Sequence, residues 1–348
     1  MRPSALVVEA WRNVRGGTAL AGPLAWVLAV LVAVLCAAAL GDTAALVARA
    51  AQYRAAGADV LIVRAEGGVD PVACEALSGT AGVESGAVRR AGDDLVAAAL
   101  PGSSVPTWEV TGGVPALLGA DAAGAGILES REVASALGGT TLATVLGPVP
   151  VAGVYDYPHD GRRTDLQFAV LSPTSSTTPF DECWARTWPP TPDLESLLRT
   201  TLLDASADDV EVLQLNGALG AGFAGQELFA GRTTRALPPL ACGAAAVILF
   251  AAGRTRRLEF ASARHSGVRL ADLWRIVMLE GAAWAVPVVL ASAWTAAVAT
   301  ARAADAPTPW WIAATIAVPA LLGAAAGATL AVLPSRESAL FAHTRARR

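Results

Sequence analysis

The sequence contains no lysine, three histidines, two methionines and four cysteines among 348 residues, and only 16% of it is charged. Each scarcity excludes some chemistry. Arginine carries every basic role, which reads as composition bias of the genome rather than function. His159, His265 and His343 fall on different parts of the chain, none with zinc-ligand spacing to a cysteine or another histidine. A phosphate-binding GxxxxGK[ST] loop is missing, so this chain is not itself an ATPase of that type. No GxSxG occurs either. The expectation is a non-catalytic chain that binds no metal or cofactor. The net charge of −4 says little about partners, and no nucleic acid is expected among them.

Apolar residues are what the chain has in quantity: 54% of the total, with a mean hydropathy of +0.47. They gather in four uncharged stretches, Ala19 to Leu40, Ala236 to Gly253, Gly281 to Ala301 and Trp310 to Leu333. Each reaches the roughly 18 residues that suggest a membrane span. The predicted fold class is an α-helical membrane protein with four transmembrane helices and a mixed α/β domain inserted between the first two. A cleaved signal peptide is the rival reading of the first stretch. Its uncharged core runs past the usual 7 to 15 residues of a secretory segment, and the nearby lipoprotein candidate Cys36 follows Leu35 where a small residue is expected. An uncleaved anchor is the preferred expectation.

Arginine placement orients the chain, because short cytoplasmic loops accumulate it and long translocated domains are insensitive to charge. Arg2, Arg12 and Arg15 precede the first span; Arg254, Arg256, Arg257, Arg264, Arg269 and Arg275 lie between the second and third; Arg336, Arg345, Arg347 and Arg348 follow the fourth. Only Arg302 lies between the third and fourth. Both termini are expected in the cytoplasm of a multi-pass plasma-membrane protein, with the large domain outside. The predicted order is a cytoplasmic amphipathic helix (1–18), span one (19–40), the extracytoplasmic domain (41–235), span two (236–253) and a cytoplasmic loop (254–275). Span three (276–301), a short outer loop (302–309), span four (310–333) and a cytoplasmic tail (334–348) complete it.

The inserted domain, at about 190 residues, can bury its own core. Val60 to Val63 reads as a buried strand, and Pro71 as the first residue of a short helix ending near Gly79. Ser130 to Leu137 reads as a helix stopped by Gly138 and Gly139. Thr141 to Leu146 and Val149 to Val154 suit a hairpin around Gly147 and Pro148, Leu166 to Leu171 a strand, and Ser172 to Thr178 a polar loop. Thr191 and Pro192 look like a cap and first residue for a helix carrying Leu194, Leu197, Leu198 and Thr201 at helical spacing. Val210 to Leu215 reads as a last strand, and Gly217 to Arg235 as a stalk helix entering span two. The cluster Tyr155 to Arg163 has the composition of a loop tip.

Cys36 and Cys242 lie in spans, where small apolar packing explains them. Cys74 and Cys183 are the two cysteines of the outer domain, where disulfides persist. A bridge between them is the natural inference, two separate buried thiols being the alternative.

Near the N-terminus Val7, Ala10, Trp11 and Val14 recur at helical spacing, opposite Glu9, Arg12 and Arg15. That suits a helix in the inner interface with Trp11 at headgroup depth, or an ordinary cytoplasmic tail. Between spans two and three, a basic run with Arg256, Arg257, Glu259, Phe260 and Arg264 reaches Gly267; Leu270, Leu273, Trp274 and Val277 form a second stripe. Two short helices around a glycine hinge are expected, although Arg254, Arg256 and Arg257 also suit a plain solvated loop. Glu280 stands at the mouth of span three, as a functional group or as one that merely reaches the interface. Pro287 and Pro319 are expected to kink their spans.

Three stretches, RRLEFASARHSGVRLADLWRIVMLEG, AGILESREVASALG with TLATVLGPVPVAGVYDY, and VVEAWRNVRGG, carry a resemblance to the FtsX-like permease family of ABC transporters, the group that includes MacB-type proteins. His265 and Ser266, and the surroundings of Cys74, Cys183 and Trp184, depart from that family's pattern. The resemblance implies a permease subunit that pairs with a second permease, as homodimer or heterodimer, and with two copies of a separate ABC ATPase that binds ATP and Mg. It implies mechanotransmission to the outer domain and export, or extraction from the lipid bilayer, of a hydrophobic or amphipathic peptide, lipid or lipoprotein. It assigns ATPase coupling to the loop holding Arg256, Arg257, Glu259, Phe260, Arg264 and Gly267. The alternative is a regulator that activates an extracytoplasmic cell-wall hydrolase and transports nothing; an extracytoplasmic protein is then the partner.

Overall fold

The computed structural model of the protein describes residues 2–121, 124–204, 209–302 and 308–333. The tail at 334–348, with its four arginines and His343, and residues 303–307 of the expected outer loop lie outside them. The chain forms two compact units, Met1–Val47 with Gln226–Arg348, and Ala48–Gly225.

Helix α1 (Pro3–Arg15) begins on a proline that needs no amide partner and ends with Arg12 and Arg15 beside its carbonyls. Helix α2 (Ala21–Ala55) follows, 35 residues long. The expected span ended at Leu40, but the helix continues because Asp42 to Ala55 contains neither glycine nor proline and is rich in alanine. It stops before Gly57, whose φ of +67° suits glycine. Thirty-five residues extend about 52 Å, well beyond a hydrocarbon core of about 30 Å.

The second unit is a nine-stranded mixed sheet with short helices on its faces. Its chain order begins β1 (Val60–Val69), α3 (Pro71–Ala76), β2 (Val83–Arg90), a small hairpin of β3 (Leu95–Val96) and β4 (Ser104–Val105), then β5 (Thr107–Val110) and α4 (Val114–Leu117). It continues with β6 (Ile127–Ser130), α5 (Arg131–Leu137), β7 (Thr141–Thr144), β8 (Gly147–Tyr155), β9 (Val170–Pro173), β10 (Phe180–Thr187), α6 (Asp193–Arg199) and β11 (Glu211–Gln214). The spatial order is β11-β1-β10-β2-β5-β9-β6-β8-β7, antiparallel except for β5 with β9 and β6 with β8. Side chains alternate across the pleat. Ile62 and Trp184 therefore enter one buried layer with Leu128 and Leu171, while Val63 and Cys183 enter the other with Phe180 and Leu198.

Local chemistry sets several boundaries. The Asp70 carboxylate accepts from Val72 N at 2.8 Å and Ala73 N at 3.3 Å, capping α3, and Ser130 Oγ accepts from Val133 N at 3.3 Å to cap α5. Helix α3 brings Cys74 to the sheet, where it is bonded to Cys183 of β10 with Cα atoms 5.8 Å apart. Gly147, at φ +124°, opens the second strand of the β7–β8 hairpin.

Between β8 and α8 three segments differ from expectation. Leu166 to Ala169 is not strand: Thr164–Leu166 is a 3-10 turn, and β9 starts at Val170. The buried residues Leu166 and Ala169 are spaced as in a helical turn, and both their carbonyls accept from the Tyr155 hydroxyl. Helix α6 starts one residue later than predicted, with no side-chain cap, Thr191 contributing its backbone carbonyl instead. It ends at Arg199, so Thr201 lies beyond it with its hydroxyl donating to Leu198 O at 2.8 Å. Gly217 to Arg235 is not one helix. Gly220 at φ +94° interrupts it, leaving a turn at Gly217–Leu219 and α7 (Gly225–Ala230).

The first unit resumes with α8 (Leu237–Thr255), α9 (Arg257–His265), α10 (Leu270–Arg302) and α11 (Thr308–Val332). Helices α2, α8, α10 and α11 contain the four segments, among the described residues, that are long and apolar enough to cross a membrane. The helices of α10 and α11 run through Pro287 and Pro319 without a break. The second short helix expected after Gly267 is the start of α10, since no glycine or proline interrupts the chain between Leu270 and Gly281. Helices α8 and α11 touch through small residues: a Cβ on Gly323 would strike the Cys242 carbonyl, and one on Gly327 the Ala246 carbonyl. This Gly-x-x-x-Gly spacing lets helix backbones approach closely.

Candidate functional site

Arg256 alone separates α8 from α9, forming the elbow between them. Its guanidinium turns inward. Nη1 donates to Glu280 Oε2 at 2.6 Å and Nη2 to Glu280 Oε1 at 3.3 Å, while Nε donates to Glu259 Oε2 at 3.0 Å. The same group lies 5.2 Å from the Phe260 ring centroid. Burial opposes its charge, but the hydrogen bond and charge of Glu280, then those of Glu259, outweigh that and hold its pKa above the ordinary arginine value.

Glu280 is only 3% exposed, on the face of α10 turned to the helix core. Its second partner is Asn13 of α1, whose Nδ2 donates to Oε1 at 2.6 Å. An ionisable group in such an apolar setting needs partners, and here it ties together α1, the α8–α9 elbow and α10. Sequence reading placed Glu280 at a membrane entrance and missed Asn13. The available signal was Leu6, Ala10 and Asn13 at helical spacing: Leu6 and Ala10 are buried with Ile276 of α10. Val7 and Trp11, part of the predicted stripe, stay more than half exposed, and the Arg15 guanidinium lies 4.9 Å from the Trp11 ring centroid.

Helix α9 is held on one side and open on the other. Phe260 is buried with Leu273 and Val332. Glu259 occupies its first turn and Arg264 and His265 its last, as the helix dipole favours. Gly267 terminates it at φ +89°: Gly267 N bonds to Arg264 O and Val268 N to Ala263 O, both at 3.0 Å, and Ala263 and Val268 both pack against the Phe260 cluster. This is the Schellman arrangement. Nothing lies within 4 Å of the position a Gly267 Cβ would take, so backbone conformation is what requires glycine. Arg257 is exposed, and the buried Nε of Arg264 has no hydrogen-bond partner among the described residues. The site thus unites Arg256, Glu259, Phe260 and Glu280 with Asn13. Arg257, Arg264 and Gly267 lie on the same short helix or its end, whereas Trp11 takes no part.

No protein-family model matches the sequence, and no curated protein matches it. Among solved structures, the chain is similar to the periplasmic region of MacB from Actinobacillus actinomycetemcomitans, at 11% identity and a TM-score of 0.34 over 47% of this chain and 91% of that one. It is also similar to a domain described as part of a permease protein from Porphyromonas gingivalis, at 15% identity and a TM-score of 0.31 over 45% of this chain and 88% of that one.

Proposed function

We propose that this chain is the permease subunit of an ABC-type transporter, with α9 as the cytoplasmic element that meets a separate ATPase. The Ala48–Gly225 unit lies outside the cell in this reading, and ATP-driven motion reaches it through the spans to export or extract a hydrophobic or amphipathic compound. The observation that carries the reading is α9 itself. It is a short, charged helix between two apolar helices, with its inner side fixed by Phe260 and the Arg256–Glu280 pair. Its outer side offers Arg257 and the half-exposed Glu259. A rigidly seated helix can transmit a push, whereas a solvated loop would absorb it. The basic loop sequence, similar to that of FtsX-like permeases, supports the same assignment.

The test is ATP turnover and co-purification of the chain with its ATPase. Arg257→Glu reverses an exposed charge without touching the Arg256–Glu280 pair, and a docking contact that is partly ionic should weaken by about 2 kcal/mol or more. Gly267→Val forces a β-branched residue into a left-handed conformation and should disorder the end of α9. Both variants should fold, yet lose ATPase association and turnover. Wild-type assembly and turnover in both would remove α9 from the coupling role.

A further inference from the structure

Within the Ala48–Gly225 unit, a cleft of about 720 Å³ opens beside the β1–β11 edge of the sheet. That volume is in the range of small-molecule sites. Its walls include Tyr53 near the end of α2, Leu61 of β1, Pro190, Leu194 of α6 and Phe223. The aromatic wall is built, not incidental. Tyr53 and Phe223 lie with ring centroids 5.6 Å apart, Phe223 and Trp188 with theirs 5.7 Å apart, and the Tyr53 hydroxyl accepts from Gln214 Nε2 at 2.9 Å.

The charged residues in the lining are Asp59 and Glu195, both acidic. Glu195 is half exposed and paired with Arg199 at 3.0 Å. Asp59 is different. Its side chain is fully buried, and neither oxygen accepts a hydrogen bond among the described residues. Arg54 Nε forms an ion pair with Oδ2 at 3.7 Å, beyond hydrogen-bond length, and the Arg54 guanidinium lies 5.2 Å from the Trp188 ring centroid. Arg186 adds a second favourable charge, but burial outweighs both charges and holds the Asp59 pKa above the ordinary carboxylate value. Burying a carboxylate without donors is costly unless something else compensates it. Two aromatic rings, Tyr53 and Phe223, line the same cleft, and ring faces attract cations.

We infer that this cleft binds a cationic amphipath, an organic ammonium or guanidinium with an apolar body, the body lying against Tyr53 and Phe223 and the charge balanced by Asp59. The binding site stands without the transporter reading; only the step from bound ligand to transported compound rests on it.

The full chain in lipid nanodiscs would be titrated calorimetrically with 4-phenylbutylammonium and with its anionic counterpart 4-phenylbutanoate, subtracting empty nanodiscs. The ammonium should bind at least tenfold more tightly than the carboxylate. Asp59→Asn should lower ammonium affinity about tenfold and leave carboxylate affinity within about twofold. Phe223→Ala should weaken both probes. Equal binding of the two probes by the wild-type chain would overturn the proposal, as would an Asp59→Asn variant that keeps the cation preference. Should Asp59→Asn fail to fold, the wild-type comparison and Phe223→Ala decide, and unchanged ammonium affinity in Phe223→Ala overturns it. No ATPase is present in this experiment, so its outcome is independent of whether α9 couples to one.

Discussion

Replacing Glu280 by alanine removes the acceptor of two hydrogen bonds from Arg256, at 2.6 and 3.3 Å, and one from Asn13, at 2.6 Å. It leaves a guanidinium whose side chain is 11% exposed with only Glu259, itself 52% exposed, as counter-charge among the described residues. Breaking one side of a buried pair costs about 3–5 kcal/mol. A cavity of about 30 Å³ beside the pair has room for a water, and Glu259 persists, so the loss should fall near the lower end, about 3 kcal/mol. Glu280→Gln keeps the shape and the acceptor for Asn13 but not the charge, and should cost about 1–2 kcal/mol. Combining Glu280→Leu with Arg256→Met replaces the pair by apolar groups and should recover most of the loss. Equilibrium unfolding of the full chain in mixed micelles measures these differences. Trypsin adds a local readout, since without lysine it cuts only after arginine, and Arg12 and Arg15 flank Asn13. Release of α1 should accelerate cleavage there in Glu280→Ala and in Asn13→Ala. Wild-type stability together with wild-type cleavage rates in Glu280→Ala would refute the account of this cluster.

Three further outcomes are expected. Replacing Cys74 and Cys183 together by serine frees a 109-residue loop and should destabilise the Ala48–Gly225 unit by up to about 4–5 kcal/mol in the chain-entropy model; an unchanged denaturant midpoint would contradict it. Gly327→Leu pushes a side chain into the Ala246 carbonyl and should cost at least about 1–3 kcal/mol, whereas Gly243→Leu, with open space around it, should be nearly neutral; equal thermal stabilities would contradict this packing. Glu129 on β6 is 1% exposed with Oε1 unpartnered, and burial raises its pKa. A raised folded-state pKa means its stabilising contribution is present below the ordinary carboxylate value of about 4.3 and is lost as pH rises through the folded value. Glu129→Gln should therefore raise the melting temperature of the Ala48–Gly225 unit at pH 7 and change it little at pH 4, and the reverse order would exclude burial as the cause.

The sequence alone determined features that depend on a few neighbouring residues or on composition. The four apolar stretches, the start of a helix at Pro71, the short helix before Gly138, the turn at Gly147 and the need for glycine at 267 are of this kind, because φ preference and apolar run length act locally. The Cys74–Cys183 pair was legible because only two cysteines fall between the first two apolar stretches. Tertiary structure decided whatever depends on which segments meet. Leu166 to Leu171 has the composition of a strand, yet its carbonyls are claimed by Tyr155, so the chain turns before β9 begins. The stripe on α1 was legible as amphipathic, but its packed face became Leu6, Ala10 and Asn13 once α10 lay against it. Asn13 lies 267 residues before Glu280, Arg256 lies 24 before it at the α8–α9 elbow, and Asp59 looks like any turn residue. A buried charge is stabilised or penalised by what surrounds it in space, and no spacing along the chain encodes those surroundings.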